Sequence, residues 1–156
     1  KMDDRGDKLS ALESLFTIES AKKKLIPTML PVIGGSYSSN FGWRIDPFTG
    51  QQSQHTGIDF SGAVGAPILA TAGGVVITAE YHPSYGNMVE IDHGNELITR
   101  YAHASKLHVK IGDMVLRGAR IADIGSTGRS TGAHLHFEVH QRGVAVNPAQ
   151  FLQLPG

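Results

Sequence analysis

Two patterns of apolar positions divide the chain. Between residues 7 and 24, Leu9, Leu12, Leu15 and Phe16 recur at helical spacing, with Leu25 just beyond, and Ser10 with Glu13 has the Ser-x-x-Glu form of a capping box. The spacing predicts one short N-terminal α-helix whose Lys22–Lys24 run complements the helix dipole. Pro27 and Pro31 stop that pattern and favour extended backbone, which sets a boundary near residue 30: a helical segment with its linker over 1–30, and a second unit over 31–156. In the second unit the apolar positions shorten to β-like runs over 67–71, 74–80, 87–93, 96–103 and 134–141. Turn formers such as His93-Gly94-Asn95 and Gly112-Asp113 separate them. This predicts an all-β core, a strongly coiled antiparallel sheet forming an open groove.

Composition narrows the chemistry. The chain has 156 residues, 14 Lys+Arg against 14 Asp+Glu, and no net charge, so it carries no electrostatic footprint for nucleic acid or an anionic membrane. No apolar run approaches the roughly 20 residues of a transmembrane helix. The opening KMDDRGDK lacks the order of a secretory signal, and a start on Lys1 is expected of a processed or trimmed chain. There is no cysteine, so a tightly held metal must use His, Asp or Glu, and the eight histidines become the residues to read.

The run HLHFEVH over 134–140 is the most informative. Strict alternation puts Leu135, Phe137 and Val139 on one face and His134, His136, Glu138 and His140 on the other. Imidazoles at i and i+2 stand about 6.6 Å apart along a strand, close enough for one to bind a metal while the other meets its substrate. The bland alternative is the solvated polar face of an antiparallel sheet. A second cluster, HTGIDF over 55–60, sets His55 four residues before Asp59. On a straight strand that is about 13 Å, too far for one ion, so the backbone must curl at Gly57. His55, Asp59 and one of His134 or His136 then form an N, N, O donor set, the kind in which catalytic zinc keeps its fourth position open.

With these residues in view, the chain resembles the LytM/lysostaphin-type zinc metallopeptidases, the M23 family of peptidoglycan endopeptidases, over about residues 38–152. The similarity rests on Phe41–Arg44, HTGID over 55–59, YAH over 101–103, GSTGRSTG over 125–132 and HLHFE over 134–138. It implies one zinc per chain held by His55, Asp59 and His136, with His134 and His103 as catalytic histidines that activate water and stabilise the oxyanion. It also implies peptidoglycan peptides as substrate and a periplasmic or secreted location. Ala104 and Ala133 depart from the commoner leucine and proline of relatives. On its own residues, without the resemblance, His103 is simply a polar strand-end side chain.

The remaining candidates are secondary. Glu138 is expected to orient an imidazole and not to act as general base, and His140 to sit at the rim. His82, His93 and His108 lie among turn residues and are expected to be exposed. Arg44 is a candidate groove residue or the partner of Asp46, with Asn40, Tyr81 and Tyr85 as weaker groove candidates. The rival functional reading is a catalytically silent LytM-like module that activates another cell-wall hydrolase. A lipoyl-like carrier lacks its Met-Lys hairpin, and a cupin lacks its later ligands. The N-terminal helix could dock over the groove in cis.

Overall fold

The computed structural model describes residues 25–34, 37–45 and 48–152. The helix expected over 7–24 lies outside them, as do Asp46 and the side chain of Arg44. The described residues are almost entirely β. In chain order the strands are β1 (Tyr37–Ser39), β2 (Gly42–Ile45), β3 (Gln52–His55), β4 (Ile58–Ser61), β5 (Pro67–Leu69), β6 (Gly74–His82) and β7 (Gly86–Asp92). There follow β8 (Leu97–Ala104), β9 (Lys106–Leu107), β10 (Met114–Val115), β11 (Arg120–Asp123), β12 (His134–Gln141) and β13 (Val144–Val146). Each of the five runs expected from the apolar pattern holds a strand, four of them long and the run over 67–71 only as the three residues of β5. The other strands of two to four residues escaped that pattern because they are too short to show alternation.

An eight-stranded sheet in the order β1-β4-β12-β8-β7-β6-β10 carries β13 on the C-terminal half of β12, while β5-β11-β9 form a second sheet and β2-β3 a hairpin. The pairings are antiparallel, as expected. β12 is the inner strand on which the architecture turns. β8 runs along one edge, and β4 and β13 share the other. The solvated-edge reading of its polar face therefore fails: Glu138 and Phe137 are both fully buried, on opposite faces.

On the core face, Leu135, Phe137 and Val139 pack with Ile58, Phe60, Val89, Ile91 and Tyr101, and with Ile68, Ile121 and Ile124 from the second sheet and its continuation. Phe137 and Tyr101 are register partners across β12 and β8, with ring centroids 5.3 Å apart. Truncating such a buried aromatic costs about 3–5 kcal/mol.

The core also holds a polar chain that the sequence concealed. His93, expected to be exposed, is buried: its Nδ1–H donates to the Gly73 carbonyl (2.7 Å) and its Nε2 lies 2.7 Å from the Thr99 hydroxyl. Thr99 continues to the Tyr101 hydroxyl (2.9 Å), which accepts the Thr71 amide (3.0 Å). Hydrogen bonding replaces water for each group, which is why a turn residue can be internal. Burial holds the His93 pKa below its ordinary value against the opposing Gly73 carbonyl and Asp92. The folded state then binds fewer protons than the unfolded chain, so this contribution to stability is present above about pH 6.5 and is lost as pH falls below it. His93→Asn keeps a donor for Gly73 but does not titrate. Denaturant unfolding across pH 5–8 is expected to show a flatter pH dependence than in the parent chain, and an unchanged slope would exclude His93 as a source.

Candidate metal centre and active-site groove

β3 and β4 belong to different sheets, and Thr56-Gly57 makes the switch between them. His55 therefore ends one strand while Asp59 sits inside the next, and the distance implied by a straight strand disappears. The His55 Nε2 stands 3.3 Å from Asp59 Oδ1. Gly57 is needed here for proximity and not for a special dihedral: a Cβ on it would lie 2.2 Å from the Phe137 carbonyl oxygen and 2.9 Å from Glu138 Cγ. Close passage over β12 also sets the register that places Asp59 directly opposite His136. Direct cross-strand neighbours have Cβ atoms only about 5 Å apart, so the pairing brings carboxylate and imidazole together.

Of His134 and His136, both left open by strand spacing, His136 joins the cluster. Its Nδ1 lies 2.8 Å from Asp59 Oδ1 and 3.2 Å from His55 Nε2. The hydrogen bonds behind each ring set where its lone pair points. His55 Nδ1–H donates to the Asn40 carbonyl (2.7 Å), which turns its Nε2 inward. His136 Nε2–H donates to Glu138 Oε2 (2.7 Å), which turns its Nδ1 inward. Two imidazole lone pairs and a carboxylate oxygen thus face one another in a buried space, an arrangement that only a cation reconciles. Donors about 2.0 Å from a tetrahedral ion stand about 3.3 Å apart, close to the separations found. The residues fit a metal.

The electrostatics agree. Burial alone would raise the Asp59 carboxyl, but hydrogen bonds and charge interactions with His136 and His55 hold it well below the usual carboxylate range. Burial disfavours a charged His136, yet the flanking Asp59 and Glu138 carboxylates push the ring up to about 9. In the metal-free chain a proton is thus drawn to the place where a metal would bind.

His103 and His134 border the same space. His103 should face the core by the alternation of Leu97, Thr99 and Tyr101, all of which are buried on that side. A bulge between the Asn87 and Val89 pairings adds one residue to β8, and His103 takes φ +63°, which redirects its ring to the groove. Its Nδ1–H donates to the Thr127 carbonyl (2.7 Å). The Nδ1–H of His134 donates to the Gly132 carbonyl (2.8 Å), and the two ring centroids are 4.9 Å apart. Each ring is anchored by the loop over 126–133, so each presents Nε2 toward the ligand cluster; His134 Nε2 is 3.7 Å from Asp59 Oδ1. Burial pushes His103 down to about 4, against the raising pull of Thr127 and with further lowering by His134 and His136. It is neutral at pH 7.

The loop is locked in turn by a glycine contact. Gly128, at φ +73°, packs on Gly86, whose amide nitrogen would be 2.2 Å from any Cβ at position 128. Thr127 donates its hydroxyl to the Ala104 carbonyl (2.6 Å) and accepts the Asn87 amide (3.1 Å). His55, Asp59, His136, His103 and His134 line a groove of about 440 Å³ that Phe48, Tyr85, Arg129 and Thr131 extend. Tyr85, a minor candidate from sequence, lies on its wall, and Asn40 contributes through its carbonyl. His140 is part-buried on the same face and bonds Glu138 Oε1 (2.6 Å), whereas His108 pairs with Asp123 (2.9 Å) and is remote from the cluster.

The model of peptidase family M23 matches residues 53–148, a span that holds all three clustered donors and both bordering histidines. The chain belongs to peptidase family M23. It is 48% identical over 111 residues to the peptidoglycan DD-endopeptidase ShyA of Vibrio cholerae, covering 70% of this chain and 26% of ShyA. Among solved structures it is similar to a zinc-containing peptidase of Vibrio cholerae, with TM-score 0.73 and 43% identity over 81% of this chain and 40% of that one. The catalytic domain of lysostaphin from Staphylococcus simulans matches with TM-score 0.68 and 30% identity, over 74% of this chain and 90% of that domain. The chain spans about a quarter of the length of the curated relatives it matches. In this M23 chain the backbone is most tightly constrained beside the cluster at Gly57. Gly57→Ala is expected to lower stability by about 1–3 kcal/mol and to reduce metal uptake, since β4 must lift from β12. Calorimetry with elemental analysis checks this, and parental stability with full metal content would refute it.

Proposed function

We propose that this chain is a zinc endopeptidase that hydrolyses peptide stems or crossbridges of bacterial peptidoglycan, in the periplasm or outside the cell. The observation that carries the reading is the convergence of His55 Nε2, Asp59 Oδ1 and His136 Nδ1 beneath an open groove, with two further imidazoles beside them. Three protein donors leave one position for water or substrate, as in catalytic and not structural zinc sites. The relatives named as peptidoglycan DD-endopeptidases support the substrate class.

When bound, zinc supplies a Lewis acid and lowers the pKa of water to near 7. The protein supplies positioning and proton transfer. Thr127 and Gly132 hold the Nδ1–H of His103 and His134, so both Nε2 atoms are available to accept a proton. A neutral imidazole takes the proton from the attacking water. The resulting imidazolium stabilises negative charge on the scissile carbonyl oxygen and returns the proton to the leaving amine. Glu138 is poorly placed to act as that base. It is buried behind His136 and engaged by it, while burial, which would raise its pKa, is outweighed by its bonds to His136 and His140.

Elemental analysis of the purified chain should give about one zinc, and fragment release from purified peptidoglycan should stop with a chelator. Failure to take up zinc after reconstitution would sink the enzyme reading and favour a silent binding module. His134→Ala is expected to retain zinc and lose about 10²–10⁴-fold in turnover. His136→Ala should lose both, and equal metal loss in the two variants would overturn the ligand assignment.

A further inference from the structure

We infer that Arg100 is a positioning residue for the metal ligand His136, acting through the buried carboxylate of Glu138. Arg100 lies opposite Glu138 on β12 and opposite Glu90 on β7, so the three form one row across adjacent strands on the groove face of the sheet. Its Nη1–H donates to Glu138 Oε1 (3.0 Å). On the far side, Nε–H (3.0 Å) and Nη2–H (2.9 Å) both meet Glu90 Oε2, and the guanidinium lies 4.7 Å from the Tyr85 ring centroid. Glu90 and Tyr85 therefore fix the plane of the guanidinium, and the guanidinium in turn fixes one oxygen of Glu138.

The other oxygen does the orienting. Glu138 Oε2 accepts His136 Nε2–H (2.7 Å), the Thr56 hydroxyl (2.6 Å) and the Tyr85 hydroxyl (3.0 Å). A carboxylate can serve His136 along one direction only if its plane is held. On Oε1 the remaining partner is His140, about as exposed as Arg100, but Arg100 is itself held from behind by Glu90 and Tyr85, which makes it the rigid constraint. A lysine could not substitute fully, because a point-like ammonium lacks the planar fork that bridges Glu90 and Glu138 with separate N–H groups. Groups that orient a metal-bound imidazole typically change metal affinity 10–100-fold when removed. The alternative is that the row is an ordinary ion pair that only ties the strands together.

The inference rests on the zinc reading above, and the test separates the two. Zinc dissociation constants are measured by competition with a chromophoric chelator for the whole chain and for Arg100→Gln, Arg100→Lys and Arg142→Gln, alongside the thermal midpoints of the metal-free forms. Arg142→Gln makes the same charge change at the exposed pair with Glu96 and should leave zinc affinity within twofold. Arg100→Gln is expected to weaken zinc binding 10–100-fold and Arg100→Lys to fall between. Zinc affinity within twofold of the parent in Arg100→Gln, with or without a lower thermal midpoint, overturns the positioning role. If Arg100→Gln does not fold, Arg100→Lys decides, at least threefold weakening being expected and none overturning the inference. A parent chain with no zinc affinity would overturn the zinc reading itself, and the inference with it.

Discussion

Everything at the site depends on the register of β12. Its odd-numbered side chains, Leu135, Phe137 and Val139, are fully buried in the core, and its even-numbered ones build the site. Because side chains alternate with period two, a slip of one residue against β4 or β8 would drive His136 and Glu138 into the apolar layer and expose Phe137. The core and the His-Asp-His cluster therefore specify the same pairing. Asp59 opposite His136 is a consequence of Ile58 and Phe60 finding their places beneath β12 as much as of any affinity between the two polar groups.

That arrangement concentrates charge where water is scarce. Asp59 and Glu138 flank one imidazole, and both carboxylates are buried. Isolated, either would be strongly disfavoured. What permits them is complete hydrogen bonding: among the described residues no buried side-chain nitrogen or oxygen lacks a partner. The same completeness gives the site its direction, since the His55 and His136 rings each have one nitrogen committed to the protein and the other turned inward. A space suited to a cation results where two rings held from behind turn their inner nitrogens toward each other and toward Asp59.

The parts of this that could be read in the sequence were those encoded by local alternation. HLHFEVH separates into a core face and a polar face by counting, and the four long strands, β6, β7, β8 and β12, follow from their apolar runs. His55 and Asp59 could be paired only by requiring a bend, and the bend proved to be a change of sheet, with Gly57 needed for its closeness to Phe137 and not for flexibility. His103 was invisible to alternation, which assigns it to the core; one inserted residue and a positive φ reverse its face, and neither leaves a local compositional trace. Resemblance to the family was the signal that found it. The roles of Arg100 and Tyr85 are hidden in the sequence because their partner Glu138 lies 38 and 53 positions away in the chain. His93 illustrates the converse error. A histidine beside a glycine turn is usually exposed, but here Gly73 and Thr99 supply both hydrogen bonds that burial requires.

The bulge at His103 also shows why the loop over 126–133 must be rigid. A non-glycine residue at positive φ is strained, and it persists only where surrounding contacts over-determine it. His103 has those contacts at both ends: its amide donates to the Tyr85 carbonyl (2.7 Å) and its ring to Thr127. Thr127 is itself tied to Ala104 and Asn87, the residues flanking the bulge, while Gly128 closes on Gly86. The loop, the bulge and the β6–β7 turn thus form one closed set of constraints. Loosening any member would release the strain by letting His103 return toward the core face, so the position of this imidazole depends on residues that never touch the groove. The cluster of His55, Asp59 and His136 is held by strand register, and the neighbouring histidines by this locked loop. The two devices meet at His134, whose backbone lies in β12 and whose ring is anchored on Gly132.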